Sequence, residues 1–228
     1  MHRSLLALAA ASLLVVSCRG GSTKAPTPVV VPDVQQQAVR AAATLTGAVV
    51  HVTGHAAQNS TSVDFTIEYR QAADRFAYTA TSTFQGQTAD IQVIGVPPQA
   101  WSLEAGAWKP LAGALTVDTF RAARMWSLVP FSQAALDGTE SVGGVQANHY
   151  HAEAGVHLAF GELAGSLIAS GDAEFTGALS HATIDYWVDK EHGWPVKAVY
   201  HASGDGDLDL TAELVQANDP AIAIDPPK

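Results

Sequence analysis

Val63, Phe65, Ile67 and Tyr69 alternate with Asp64, Thr66, Glu68 and Arg70. A period of two sends one set to each face of a strand, and this set reads as a strand half in water and half in a core. The same alternation returns in Phe76, Tyr78 and Ala80 and, after a turn at Gln85-Gly86-Gln87, in Ala89, Ile91 and Val93. Residues 101–104 and 107–109 form a tight hairpin about Ala105-Gly106. Residues 145–152 make a further strand. The last third repeats the pattern three times: Ala182, Ile184, Tyr186 and Val188; Trp194, Val196, Ala198 and Tyr200; Leu208, Leu210, Ala212 and Leu214. Turns at Glu191-His192-Gly193 and Gly204-Asp205-Gly206 separate them. Strands wet on one face and joined by short turns belong in an antiparallel sheet, which excludes a helical bundle and a doubly wound parallel sheet.

Three stretches have a helical period instead. Asp33 is placed to cap a helix running to about residue 46, with Val34, Ala38, Ala41 and Leu45 on one side. Residues 116–136 have a helical pattern with Asp118 placed to cap it and Phe120, Ala123, Met125 and Trp126 on the apolar side; Pro130 breaks it, and Ser132 is placed to cap a second short piece. Residues 157–170 align Phe160, Leu163 and Leu167. The expectation is an α+β domain over residues 33–228, with helices packed on one face of the sheet.

The N-terminus constrains location. Arg3 precedes an apolar run from Leu5 to Val16, and Ser17 stands directly before Cys18, the one cysteine in the chain. This is the layout of a secretory signal, and it resembles the lipobox of bacterial lipoproteins, in which the cysteine sulfur is acylated with a diacylglycerol and becomes residue one. Residues 1–17 are then a lipoprotein signal peptide, and residues 18–32 a lipidated Cys18 with a tether rich in Gly, Ser, Thr and Pro, reaching roughly 40 Å when extended. Two alternatives stand beside this: an ordinary cleaved signal with an incidental cysteine, and an edge strand at Val29-Val30-Val31. The apolar run is short of the about 20 residues a spanning helix needs. Twelve basic against twenty-two acidic residues give a net charge of −10, which argues against nucleic acid and against electrostatic docking to anionic membranes. With one cysteine, intrachain disulfides are excluded.

Three segments carry a family resemblance. Tyr186-Trp187-Val188-Asp189 through Trp194-Pro195-Val196-Lys197 resembles a hairpin of the LolA-like superfamily of envelope lipid carriers, particularly the mycobacterial LppX/LprG lipoproteins. Asn218-Asp219-Pro220 with Ile222, Ile224 and Pro226 resembles their final segment, and Gly143-Gly144-Val145 through His149-Tyr150 their central strand. The resemblance implies a strongly curved antiparallel half-barrel whose helices close an apolar cavity for acyl chains. It also implies a non-enzymatic role: binding or carrying lipidated molecules at the cell envelope, on the outer face of the cytoplasmic membrane or on an outer membrane. An envelope transporter or acceptor protein is the implied partner, and no cofactor is implied. Cavity candidates are Phe120, Ala123, Met125, Trp126, Phe131, Phe160, Leu163 and Leu167. The same residues also suit an ordinary filled core, in which case the domain is a surface lipoprotein serving as a partner-binding or scaffold module.

Other chemistry is sparse. His149 and His151 share a strand face, as do His51 and His55, yet spacing fixes no third ligand and no metal site is assigned. Asp205, Asp207 and Asp209 resemble the start of a calcium loop, but Leu210 and Gln216 stand where Gly and Glu are needed. Nucleophile elbows, phosphate loops and His-Glu-x-x-His are missing from the sequence, so no catalytic residue is assigned. If Cys18 carries the anchor, Cys18→Ala abolishes incorporation of labelled fatty acid and releases the protein from membranes; labelling of the variant at wild-type level would overturn the lipoprotein assignment.

Overall fold

The computed structural model describes residues 29–111, 122–167 and 175–228. Cys18 and Phe120 lie outside them. The elements are β1 (Val29–Pro32), α1 (Val34–Ala42), β2 (Gly47–Gln58), β3 (Thr61–Ala72), β4 (Arg75–Phe84), β5 (Gln87–Val96), β6 (Gln99–Glu104), β7 (Ala107–Pro110), α2 (Ala122–Met125), β8 (Gln133–Val142), β9 (Val145–Ala159), α3 (Phe160–Leu167), β10 (Ala178–Asp189), β11 (Pro195–Gly204) and β12 (Asp207–Ala217).

All twelve strands belong to one open, curved sheet in the order β1-β8-β9-β10-β11-β12-β2-β3-β4-β5-β6-β7. Every described pairing is antiparallel. Two meanders, β2 to β7 and β8 to β12, meet where β12 pairs with β2. Short turns fix the register of the hairpins. Gln85-Gly86 and Ala105-Gly106 both have two positive φ angles (50° and 77°, 50° and 79°), the geometry of a two-residue turn whose twist matches its strands. Glycine at the second position meets that demand without a Cβ penalty.

One face is apolar. Val50, Val52, Val63, Phe65, Ile67, Tyr69, Ile184, Tyr186, Tyr200, Leu208 and Leu210 all project there and are buried. Gly54 allows a close approach on this face. It sits opposite Phe65 in the β2–β3 register, and a Cβ there would fall 2.2 Å from Phe65 Cζ and 2.8 Å from the Asp209 carbonyl oxygen. The ring therefore lies over bare backbone.

The other face is polar and organised in cross-strand rows. Lys197, Glu213, His51 and Glu68 are successive neighbours across β11, β12, β2 and β3, as are His201, Asp209, His55 and Asp64. Within the rows, Lys197–Glu213 (3.0 Å), His51–Glu68 (2.9 Å), His201–Asp209 (2.6 Å) and His55–Asp64 (2.7 Å) pair directly. Exposed pairs of this kind are worth only about 0–1 kcal/mol each. Their stronger effect is to fix which face is wet, since a one-residue slip would bury every charge.

The structure corrects several expectations. Asp33 precedes α1 in a left-handed conformation (φ 55°) without a side-chain cap, and its own backbone N–H donates to the Ser132 carbonyl. The second short helix after Ser132 is instead β8, paired on both sides by β1 and β9; its apolar spacing was too short to separate the two periods. Residues 157–159, read as the start of a helix, extend β9, and α3 begins at Phe160. Val29–Pro32, read as the end of a tether with an edge strand as the alternative, is the edge strand. The described helices are short, and among the described residues none is long and apolar enough to cross a membrane.

Substituting Gly54 by Ala should lower stability by ~1–3 kcal/mol, the usual range for overpacking a core. Urea unfolding reads this, and a variant within 0.5 kcal/mol of wild type, on the order of a neutral surface change, would contradict the close approach.

Candidate functional site

The strongest concentration of unusual chemistry lies at the backbone of Trp126, just after α2. This side chain is fully buried, and its carbonyl oxygen accepts three hydrogen bonds: from Gln35 Nε2 (3.0 Å), the Tyr200 hydroxyl (3.1 Å) and the Tyr186 hydroxyl (3.4 Å). Three donors more than match a carbonyl's two lone pairs. Gln35 comes from α1, Tyr186 from β10 and Tyr200 from β11, so one peptide oxygen ties two strands and a helix to the segment covering them. The Gln35 amide also donates to the Val129 carbonyl (2.9 Å) and accepts from Phe131 N–H (3.1 Å), holding residues 126–131 against α1. Buried polar groups carry their full cost unless paired, and Gln35 pairs three backbone groups of one loop.

The same residue has an unmet donor. Among the described residues, Trp126 Nε1 is buried without a hydrogen-bond partner, as is Ser82 Oγ on β4. Buried tryptophans ordinarily find an acceptor for the ring N–H.

The sequence-derived candidates divide around this point. Ala123 and Trp126 are buried and Met125 is half-buried beside them, with α2 resting against α1, β2 and β3. Phe131 is half-buried, edge-on to the Tyr186 ring at a centroid distance of 5.4 Å and an angle of 72°. Phe160 and Leu167 are buried and Leu163 half-buried on α3, which rests against β9 and β10; Phe160 meets Phe175 at 4.7 Å. The candidates thus join one core cluster but cover different strands. A groove of about 530 Å³ opens beside Phe131, between residues 130–133 and Glu153, Ala154 and Gly155 of β9.

The segments that carried the family resemblance turn out to build strand ends. Asp189 accepts from the Glu191 N–H and pairs with His192 (both 2.8 Å), shaping the turn into β11. Trp194, expected inside, is half-buried in that turn and stacks on His192 at 4.3 Å; Pro195 opens β11 as expected of a residue without an N–H. Asn218 Oδ1 accepts from the N–H groups of Thr46 and Gly47 (2.9 and 3.2 Å), and Asp219 accepts from Ala221 N–H (2.8 Å). The two histidine pairs do not meet, since β10, β11 and β12 lie between β9 and β2. Asp205 accepts from Ala178 N–H (2.9 Å) and Asp209 pairs with His201, so these carboxylates bind the protein itself rather than forming a calcium loop. Gln35, Tyr186 and Tyr200 were not singled out beforehand as a site. Tyr186 and Tyr200 were legible as inward strand positions, but their convergence on one carbonyl was not.

No family model matches the sequence, and no curated protein matches it. Solved structures do resemble it. LprF from Mycobacterium bovis is 11% identical over 86% of this chain and 95% of its own, with a TM-score of 0.46. The Mycobacterium tuberculosis lipoprotein LppX is 17% identical over 84% and 96%, with a TM-score of 0.43. A LolA superfamily protein from Nitrosomonas europaea is 9% identical over 80% and 92%, with a TM-score of 0.26.

Burial raises the ionisation of both phenols above their ordinary 10.0, with Tyr200's proximity adding to the shift at Tyr186. A phenol whose folded pKa is raised keeps its proton when the unfolded chain has lost it. Its contribution is whole below pH 10 and disappears as pH rises toward the folded value. Chemical denaturation should show stability falling above pH 10 by up to ~1.4 kcal/mol per pH unit per tyrosine. Tyr200→Phe should cost about 1 kcal/mol at neutral pH and flatten the alkaline slope; an unchanged slope would place the hydroxyl outside the core.

Proposed function

We propose that this chain is a lipid-anchored envelope protein that binds an acylated molecule between the apolar face of its sheet and the α1, α2 and α3 segments above it. The observation that carries the reading is Trp126. Its ring is fully buried among apolar side chains while its N–H has no acceptor among the described residues, at the end of the four-residue α2 helix. An acyl ester offers the matching chemistry, with a carbonyl to accept from the indole and a chain to lie along Phe131, Met125 and Leu163. Sites for small apolar ligands are lined in this way, mostly by hydrophobic surface with few polar groups. The lipobox-like sequence at Cys18 supports an envelope location, and the absence of a convergent catalytic constellation in the sequence supports binding over chemistry.

A partner-binding role has one observation in its favour: Val29 and Val30 are 63% and 58% exposed on the edge strand β1, whose outer edge pairs with no other strand among the described residues and suits addition of another strand.

The two readings separate in one experiment. Ala123 and Ala164 are buried under the cover, so Ala123→Phe or Ala164→Trp fills ligand space if a ligand is held there. Native mass spectrometry of the protein purified from its host should show bound lipid in wild type, several-fold less in either variant, and a melting temperature near wild type. Loss of about 1–3 kcal/mol on substitution, with no lipid in the wild type, would make the scaffold reading the better one.

A further inference from the structure

On the polar face, β8, β9 and β10 bring together four side chains that the acyl-binding reading does not use. His149 Nε2 lies 2.9 Å and His151 Nδ1 3.1 Å from the same oxygen, Asp185 Oδ1. Asp137 completes the group: its carboxylate, a His149 nitrogen and an Asp185 oxygen lie within 4.8 Å of one another. Asp137 reaches this place through a bulge. In the β8–β9 register Leu136 pairs with Tyr150 and Gly138 with His149, leaving Asp137 as the extra residue. A bulge re-aims a side chain that regular pleating would direct elsewhere.

Both ring nitrogens of His149 face carboxylate oxygens. Its Nε2 faces Asp185 and its Nδ1 faces Glu140 Oε1 at 3.6 Å. The ring cannot swing away freely, because it is stacked on Trp187 at 4.4 Å with an interplanar angle of 4°, and the Trp187 N–H itself donates to Glu140. Lys197, over the Trp187 ring at 5.7 Å, pairs with Glu213 instead. Three carboxylates therefore converge on two imidazoles.

We propose that Asp137, His149, His151 and Asp185 form a binding site for a divalent transition-metal ion of the zinc type. Two imidazole nitrogens and two carboxylate oxygens are a suitable donor set for such an ion. In a tetrahedron with bonds of about 2.0–2.1 Å the ligand atoms stand about 3.3 Å apart. The nitrogen-to-oxygen distances at Asp185 are already within a few tenths of that separation. Glu140 stands 3.6 Å from His149 Nδ1, on the side where an outer carboxylate orients a metal-bound histidine, and Nε2 is left for the ion. The site is half-exposed at all three described strands, and the ion would tie β8, with its bulge, to β9 and β10. This inference stands apart from the acyl-binding reading, because the four residues are on the opposite face of the sheet from Trp126.

The test is zinc titration of the metal-stripped full chain by calorimetry, beside copper(II) quenching of tryptophan fluorescence. One equivalent of zinc should bind, copper should quench the stacked Trp187, and His149→Ala or Asp185→Asn should weaken zinc at least tenfold. Trp187→Phe should remove most of the copper quenching while leaving zinc bound. His51→Ala with His55→Ala, on the far strands, should leave both readouts unchanged. Zinc binding that survives His149→Ala with His151→Ala, or no binding of zinc at millimolar concentration by a wild type with an unaltered circular dichroism spectrum, would overturn the proposal.

Discussion

The pairing of β12 with β2 is the contact on which the rest of the molecule depends. It joins two meanders, each locally connected by short turns, into a single sheet, and it does so between strands more than a hundred residues apart in the chain. Without it each half would expose an apolar edge and half a core. The junction is fastened at its end by Asn218, which meets the backbone of Thr46 and Gly47. It is also adjusted by a register shift between Leu214 and Gln216 that turns Val215 outward to 51% exposure. Forming it closes a long loop, which makes this the entropically costly step of assembly.

Once the two halves are joined, their inward tyrosines can act together. Tyr186 and Tyr200 reach the Trp126 carbonyl from neighbouring strands, while Gln35 reaches it from α1. The cover over the apolar face is thus positioned by directional bonds and not by hydrophobic contact alone. That difference matters for a binding role. Hydrophobic cover is tolerant of repacking, whereas a saturated peptide oxygen in a low-dielectric core holds one geometry. It leaves the Trp126 indole N–H at a fixed position, available to one acceptor.

The polar face obeys the opposite logic. Its histidines and carboxylates are arranged in cross-strand rows whose members mostly satisfy one another two at a time. The cluster at Asp185 breaks this pairing, with two histidines on one oxygen and a second and third carboxylate nearby. The excess arises where a bulge adds a residue to β8, so a backbone irregularity and an electrostatic one coincide.

Much of the sheet was legible in the sequence, because a period of two is a local property: the alternation of Val63 to Tyr69, or of Ala182 to Val188, states both the strand and its wet face. The two-residue turns at Gln85-Gly86 and Ala105-Gly106 were legible for the same reason. Residues 133–136 and 157–159 were misread as helical, since short apolar spacings suit either period and only the partner strands decide. Trp194 was read as inward by extending the alternation one residue past the strand; it does pack against the core, but lying in the turn it is only half-buried. Of the candidate site, the apolar character of Ala123, Trp126, Phe131, Phe160 and Leu167 was visible. That Trp126 presents its carbonyl to Gln35, Tyr186 and Tyr200 was not, nor that Asp137 and Asp185 flank His149. Sequence determined which residues face the core and which face water. Tertiary structure alone decided which of them meet, because strand order and register are set by contacts between segments far apart in the chain, and no local pattern encodes them.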